Sequence, residues 1–258
     1  MKKLLFTLLI FALIGINQAN AFLPSGTIGK TMLSPFIKSS KALLEEEIIR
    51  LSKLTNEVGG TEKVGKELGR LNLPNEVLED AFMRIAIYQN KITRKESEEM
   101  FFRLSQTEGF RTTLRKIIGN SDIVTAGHLN ELRIANAASS NGFKVISIGA
   151  KFDDPAKKAL TDIDLILQKG NKTFIVEAKH YAETTKIPLD RYRADLDTLI
   201  TYKGKDSNII PIFTITNKPT DLQYLKSLQY EADKKSVQLI FGEVEESIVQ
   251  IKMLGEIL

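Results

Sequence analysis

The sequence predicts a mixed α/β fold, an α+β arrangement in which helices pack on a mixed sheet and an all-helical region precedes it. Residues 22–120 carry apolar residues at roughly 3.6-residue spacing, which is the pattern of amphipathic helices. From residue 121 the chain alternates between helical and strand patterns, in the order helix, three strands, helix, strand, helix, strand. The expected organisation is therefore a leader over 1–21, a helical region over 22–120 and an α/β domain over 121–258.

The first 21 residues have the layout of a secretory signal peptide. Lys2 and Lys3 precede an apolar run over 4–16, and small residues stand at positions 19 and 21. This run is shorter than the roughly 20 apolar residues of a membrane-spanning helix. We therefore expect export through the Sec pathway to the periplasm or the exterior, with no stable membrane insertion once the signal is cleaved.

Composition excludes several kinds of site. The 258-residue chain has no cysteine, so disulfides, thiolate nucleophiles and cysteine-ligated zinc are ruled out. The net charge of +4 includes Lys2 and Lys3 of the predicted leader, so bulk charge says little about partners.

The helical region is predicted from four amphipathic stretches. Leu44, Ile48 and Leu51 lie on one stripe of the first stretch, and Thr93 with Glu96 forms a capping box at the start of the third. Gly119 is a typical helix end. The four stretches are 39–54, 75–89, 93–104 and 110–119.

The α/β domain begins with a helix over 125–140 and continues with strands over 143–152, 161–168 and 173–181. A helix over 189–203, a strand over 208–217, a helix over 221–235 and a strand over 237–242 complete the pattern.

The second and third strands are joined by the turn sequence KGNK, residues 169–172. An antiparallel hairpin closed by this turn pairs Gln168 with Thr173, and alternation then separates an apolar face from a charged face. The residues that this register places opposite each other on the charged face are Asp164 and Glu177, Asp162 and Lys179, and Ile166 and Ile175.

Two carboxylates opposite each other repel unless a positive charge offsets them. Lys179 is one candidate, and a hard divalent cation such as Mg²⁺ or Mn²⁺ is another, with the carbonyl of Ala178 as a further oxygen ligand. A solvated face with cross-strand ion pairs is the alternative reading of the same pattern.

These residues resemble the signature of the PD-(D/E)XK phosphodiesterase superfamily, the restriction-endonuclease-like nucleases. The signature is an Asp on one strand and Glu-X-Lys on the next, within an αβββαβ core. Asp164 matches the first element and Glu177-Ala178-Lys179 matches the second, over about residues 121–216. In many members the first helix contributes a Glu, and Glu131 occupies that place.

The resemblance implies metal-assisted hydrolysis of a phosphodiester. Asp164, Glu177 and Ala178 would hold the metal, Lys179 would orient or activate the attacking water, and Glu131 would be a further ligand or a base. The helix after the third strand often carries a Gln, Lys or Arg directed at the site. This chain has no Gln there, so Arg193, or else Arg191, is expected to contact the phosphate.

Three function classes follow from the pattern. The first is an exported nuclease acting on DNA or RNA, used as a toxin or as a scavenging enzyme and paired with an inhibitor or immunity protein if it is a toxin. The second is a catalytically inactive module of the same fold that binds nucleic acid or a protein partner. The third is a structural exported protein.

Overall fold

The computed structural model describes residues 43, 45–57, 59–119, 122–155 and 157–257. The predicted leader, 1–21, lies outside them. The chain divides into two compact units, the first ending at Gln106 and the second beginning at Thr107. The helix over 110–119 therefore belongs with the sheet, whereas the sequence pattern placed it with the helical region.

The described part of the first unit is helical. Thr93 and Glu96 form the predicted capping box, in which each side chain bonds the other residue's backbone N–H. The helix over 60–70 was not predicted, because its glycines leave only Val64 and Leu68 as large buried apolar residues. The helices are α1 (Glu45–Leu54), α2 (Gly60–Arg70), α3 (Asn75–Tyr88) and α4 (Arg94–Leu104).

The second unit contains the predicted order of helices and strands, followed by one further helix that the pattern did not predict. Its elements are α5 (Phe110–Gly119), α6 (Asp122–Ser140), β1 (Lys144–Asp154), β2 (Ala159–Lys169), β3 (Lys172–Lys179), α7 (Leu189–Lys203), β4 (Ile209–Ile215), α8 (Leu222–Lys234), β5 (Gln238–Phe241) and α9 (Val244–Ile257).

The five strands form one mixed sheet in the order β1-β2-β3-β4-β5. β1, β2 and β3 are antiparallel neighbours, while β4 and β5 continue the sheet in parallel with β3. Each parallel step needs a crossover, which α7 and α8 provide. The predicted mixed α/β class with a helical N-terminal part is confirmed.

Helices cover both faces of the sheet. Every residue from Phe174 to Ala178 in β3 is buried, and successive side chains point to opposite faces. On one face, Ile175 and Phe213 pack with Tyr192 and Leu196 of α7. α6 contacts β1, β2 and β3 without joining this apolar cluster, so it covers the other face.

The edge of the sheet at β1 is partly covered by the start of the second unit. Glu108 bridges to Ser147, and its carbonyl accepts the N–H of Ile148 at 2.9 Å. Gly109 follows with φ of 82°, and a Cβ there would lie 1.7 Å from the carbonyl oxygen of Ile148. Only glycine allows this close approach.

Among the described residues, no helix combines the length and the hydrophobicity that a membrane span requires.

Candidate active site

The β2–β3 hairpin has the predicted register where its strands are paired, but the predicted pairs Asp164–Glu177 and Asp162–Lys179 lie beyond the paired part. The pairs run from Lys169 with Lys172 to Leu165 with Val176. Beyond Val176 the backbone N–H of Ala178 donates to the Asp164 carboxylate at 2.8 Å. The Asp164 side chain therefore replaces a backbone carbonyl as the cross-strand acceptor, and it is fixed by the sheet itself.

β1 is irregular where it pairs with β2: its register shifts between Val145 and Ser147, and it has a residue in the left-handed region opposite Asp164. Gly149 of β1 lies between the pairs Ile148–Leu165 and Ala150–Ile163, with φ of 65° in the left-handed region. Ile163 then packs in the same apolar cluster as Ile166, although regular alternation places them on opposite faces. The predicted separation into an apolar face and a charged face is thus wrong in detail.

The charge is confined to the end of one face. Ile166 and Ile175, which the pattern placed on the charged face, are buried against α7. Glu177 and Lys179 follow at the end of β3, at the edge of this apolar packing.

Lys179 is held between two carboxylates. Its ammonium forms an ion pair with Glu177 and lies 3.2 Å from Oδ2 of Asp195 on α7. The side chains of Lys179, Glu177 and Asp195 are 15%, 10% and 21% exposed. We call Asp164, Glu177, Lys179 and Asp195 the carboxylate–lysine cluster.

Asp195 is the member that sequence reasoning missed. It follows Tyr192 by three residues and precedes Leu199 by four, so it lies on the buried stripe of α7. The sequence signal that could have identified Asp195 is a carboxylate at a helix position where the pattern otherwise places buried apolar residues.

The electrostatics of the cluster show an excess of negative charge. Burial raises the pKa of Asp164 well above its ordinary value, and the charges of Glu177 and Glu131 raise it further. Burial also raises the pKa of Glu177 to about 7, against the opposing effect of Lys179. Two neighbouring carboxylates with raised pKa values are stabilised by any cation that comes between them.

For the pKa of Lys179, the charges of its neighbours outweigh the effect of burial. Burial acts to lower its pKa, but the charges of Glu177, Asp164 and Asp195 outweigh this and raise it. The side chain is therefore a fixed positive charge at neutral pH.

Glu131 lies on α6 and approaches the cluster closely enough for its charge to raise the pKa of Asp164. Its carboxylate is buried and lies 2.9 Å from Nδ1 of His128, one helical turn earlier. The predicted contribution of the first helix is thus located beside Asp164.

The predicted phosphate-binding arginines are placed elsewhere. The guanidinium of Arg193 donates to Glu231 of α8 at 2.6 Å, and its side chain is 48% exposed. Arg191 is exposed, and no described contact joins either arginine to the cluster.

Two further polar residues lie near the end of the strands. Asp162 is exposed and is paired in the sheet with Lys151, although its charge still contributes to the raised pKa of Glu177. His180 is exposed and its ring contacts the Thr216 hydroxyl at 3.1 Å.

The oxygens at the cluster fit a hard divalent cation. Among the described residues no three His, Cys, Asp or Glu side chains are arranged to hold a metal by themselves. Asp164 and Glu177 supply two carboxylates. The carbonyl of Ala178 lies on the β2 side of its strand, because its N–H bonds Asp164 on that side. Mg²⁺ commonly takes one or two carboxylates and completes its shell with water and phosphate oxygens.

Comparisons with protein-family models, with curated proteins and with solved structures return no match for this chain. A functional conclusion must therefore rest on the residues of the cluster and on their geometry. That geometry brings Asp164 and Glu177 together beside the fixed positive charge of Lys179.

Proposed function

We propose that the second unit is a metal-dependent nuclease that hydrolyses phosphodiester bonds of DNA or RNA. One observation carries the proposal. Asp164 is partly buried within β2, and Glu177 is buried near the end of the adjacent strand β3. Both carboxyls have raised pKa values, the charge of Glu177 contributes to the raised pKa of Asp164, and Lys179 forms an ion pair with Glu177. Ionising these carboxylates without a bound cation costs folding free energy. Residues whose pKa values are strongly perturbed in this way are concentrated at functional sites.

The order of elements supports the restriction-endonuclease-like assignment. The chain runs α6-β1-β2-β3-α7-β4. This is the αβββαβ order that the resemblance implies, with Asp164 on the second strand and Glu177-Ala178-Lys179 on the third.

Asp164, Glu177 and the carbonyl of Ala178 would hold Mg²⁺ or Mn²⁺. Such an ion, when bound, polarises a phosphate and lowers the pKa of a coordinated water. The chain contributes the placement: Asp164 is fixed by the Ala178 N–H, and Glu177 is held by the strand and by its buried surroundings.

Lys179 would act as a hydrogen-bond donor and a positive charge. Because its pKa is raised, it keeps its proton at neutral pH and does not serve as the base. It would orient the attacking water or stabilise the negative charge that develops on the phosphate. Glu131 is then the neighbouring carboxylate available to accept a proton.

The resemblance favours DNA over RNA as substrate.

Neither arginine of α7 is part of the cluster, so a phosphate contact by Arg193 would require its ion pair with Glu231 to open. Arg191 is exposed and has no described ion pair that would have to open first.

We further propose that the protein is exported, as the pattern of residues 1–21 predicts, to the periplasm or the exterior. A toxin role would call for an inhibitor or immunity protein as partner. The mass of the protein recovered from an expressing cell, with cleavage after Ala21 as the expected result, tests the export proposal.

The decisive experiment incubates the protein with plasmid DNA and with total RNA, in Mg²⁺, in Mn²⁺ and in EDTA. Variants Asp164→Asn, Glu177→Gln and Lys179→Met are compared with Glu183→Gln and Lys205→Met, which alter exposed residues. Metal-dependent cleavage that only the first three variants lose supports the proposal.

Other results separate the alternatives. Binding of nucleic acid without cleavage would indicate an inactive module of the same fold. Neither binding nor cleavage would indicate the structural role.

A further inference from the structure

Lys179 is shared by Glu177 of its own strand and Asp195 of α7. The two carboxylates contact the same ammonium from different elements, β3 and α7. Oδ2 of Asp195 is buried and makes no directed hydrogen bond in the described structure, although it lies 3.2 Å from the Lys179 nitrogen. Asp195 therefore has unused capacity to accept from Lys179.

Cation binding at Glu177 would displace this lysine. A divalent ion and an ammonium repel each other strongly where the surroundings are buried. Lys179 is 15% exposed and its ammonium lies 6.0 Å from the ring centre of Phe213, so its route to solvent is limited. An ammonium left buried without an anion would oppose the ion.

We propose that Asp195 is a positioning residue that receives Lys179 when Glu177 coordinates a divalent cation. This inference rests on the proposed function, because it concerns the same metal. Asp195 frees the Glu177 carboxylate for the ion and keeps the ammonium beside the reacting phosphate. It acts through Lys179 and does not coordinate the ion itself.

The test is calorimetric titration of the full chain with Mn²⁺. Asp195→Asn should weaken Mn²⁺ binding about tenfold, in the range typical for residues that support metal ligands. Asp195→Glu, which restores an anion, should recover the affinity to within about threefold. Asp197→Asn is the matched control on the same helix, since Asp197 is 59% exposed and pairs with Lys235; it should leave affinity unchanged.

A second pair of variants separates action through Lys179 from simple attraction of the ion by a nearby charge. In a Lys179→Met background, Asp195→Asn should change Mn²⁺ affinity less than twofold. A tenfold loss in both backgrounds would overturn the positioning role. Thermal unfolding of every variant in EDTA verifies that each is folded.

The outcomes distinguish this inference from the proposed function. Wild-type protein that binds Mn²⁺ but cleaves nothing contradicts the nuclease proposal, while the Asp195 series still decides the positioning role. Equal affinity of wild type and Asp195→Asn overturns the positioning role alone. A wild type that binds no Mn²⁺ overturns both.

Discussion

Replacing Glu177 by Gln should stabilise the metal-free protein while it removes the proposed activity. The pKa of Glu177 is about 7, compared with an ordinary value of 4.5, and burial is the main cause. Each pKa unit corresponds to about 1.4 kcal/mol, so ionised Glu177 costs about 3 kcal/mol of folding free energy at pH 8. Gln removes this cost, and Lys179 keeps Asp195 as a partner.

The raised pKa also determines how the stability difference between Glu177→Gln and wild type changes with pH. A carboxyl with a raised folded-state pKa contributes no penalty when it is protonated in both states. The penalty develops as pH rises from about 4.5, where the unfolded chain ionises, to about 7, where the folded protein ionises. The advantage of Glu177→Gln should therefore be below about 0.5 kcal/mol at pH 4.5 and about 3 kcal/mol at pH 8.

Urea unfolding in EDTA at the two pH values measures this difference, with Glu183→Gln as the control for loss of an exposed carboxylate. Saturating Mg²⁺ should then stabilise wild type and leave Glu177→Gln unchanged, because ligand binding stabilises only the state that binds it. The reasoning would be refuted if Glu177→Gln were less stable than wild type at pH 8. It would also be refuted if the free energy of unfolding differed from wild type by the same amount at both pH values.

Two further predictions concern stability elsewhere. Gly109→Ala should destabilise the second unit by about 3 kcal/mol or more in urea, because its Cβ would collide with the Ile148 carbonyl. Gly127→Ala, on α6 with open space at its Cβ, should be neutral or stabilising by up to about 1 kcal/mol, and an equal loss for both would contradict the close approach. In the first unit, burial raises the pKa of Asp80 to about 7, so Asp80→Asn should add up to about 4 kcal/mol at pH 8. That gain should vanish toward pH 4, and a pH-independent effect in urea titrations would show that Asp80 ionises normally.

The sequence predicted the register of the paired part of the β2–β3 hairpin correctly. The KGNK turn and strict alternation were enough to register β2 against β3, because both strands are adjacent in the chain. Thr93 and Glu96 were recognisable for the same reason, since a capping box is complete within four residues.

Contacts between distant elements were harder to predict. Asp195 meets Lys179 only because α7 crosses over β3, and Arg193 is drawn to Glu231 by α8. The register shift of β1 between Val145 and Ser147 and the positive φ of Gly149 belong to the neighbouring strand, so no pattern within β2 could reveal them. The missed helix α9 contacts α6 and β5, and its packing is equally non-local.

The bridge from Glu108 to β1 has a practical consequence for isolating the second unit. A truncated protein that begins at residue 121 would lose Glu108 and α5, and the Ile148 N–H would lose its acceptor. An uncovered edge strand is a template for pairing with another chain. Truncation at Thr107 should give a monodisperse domain, whereas truncation at 121 should give aggregates.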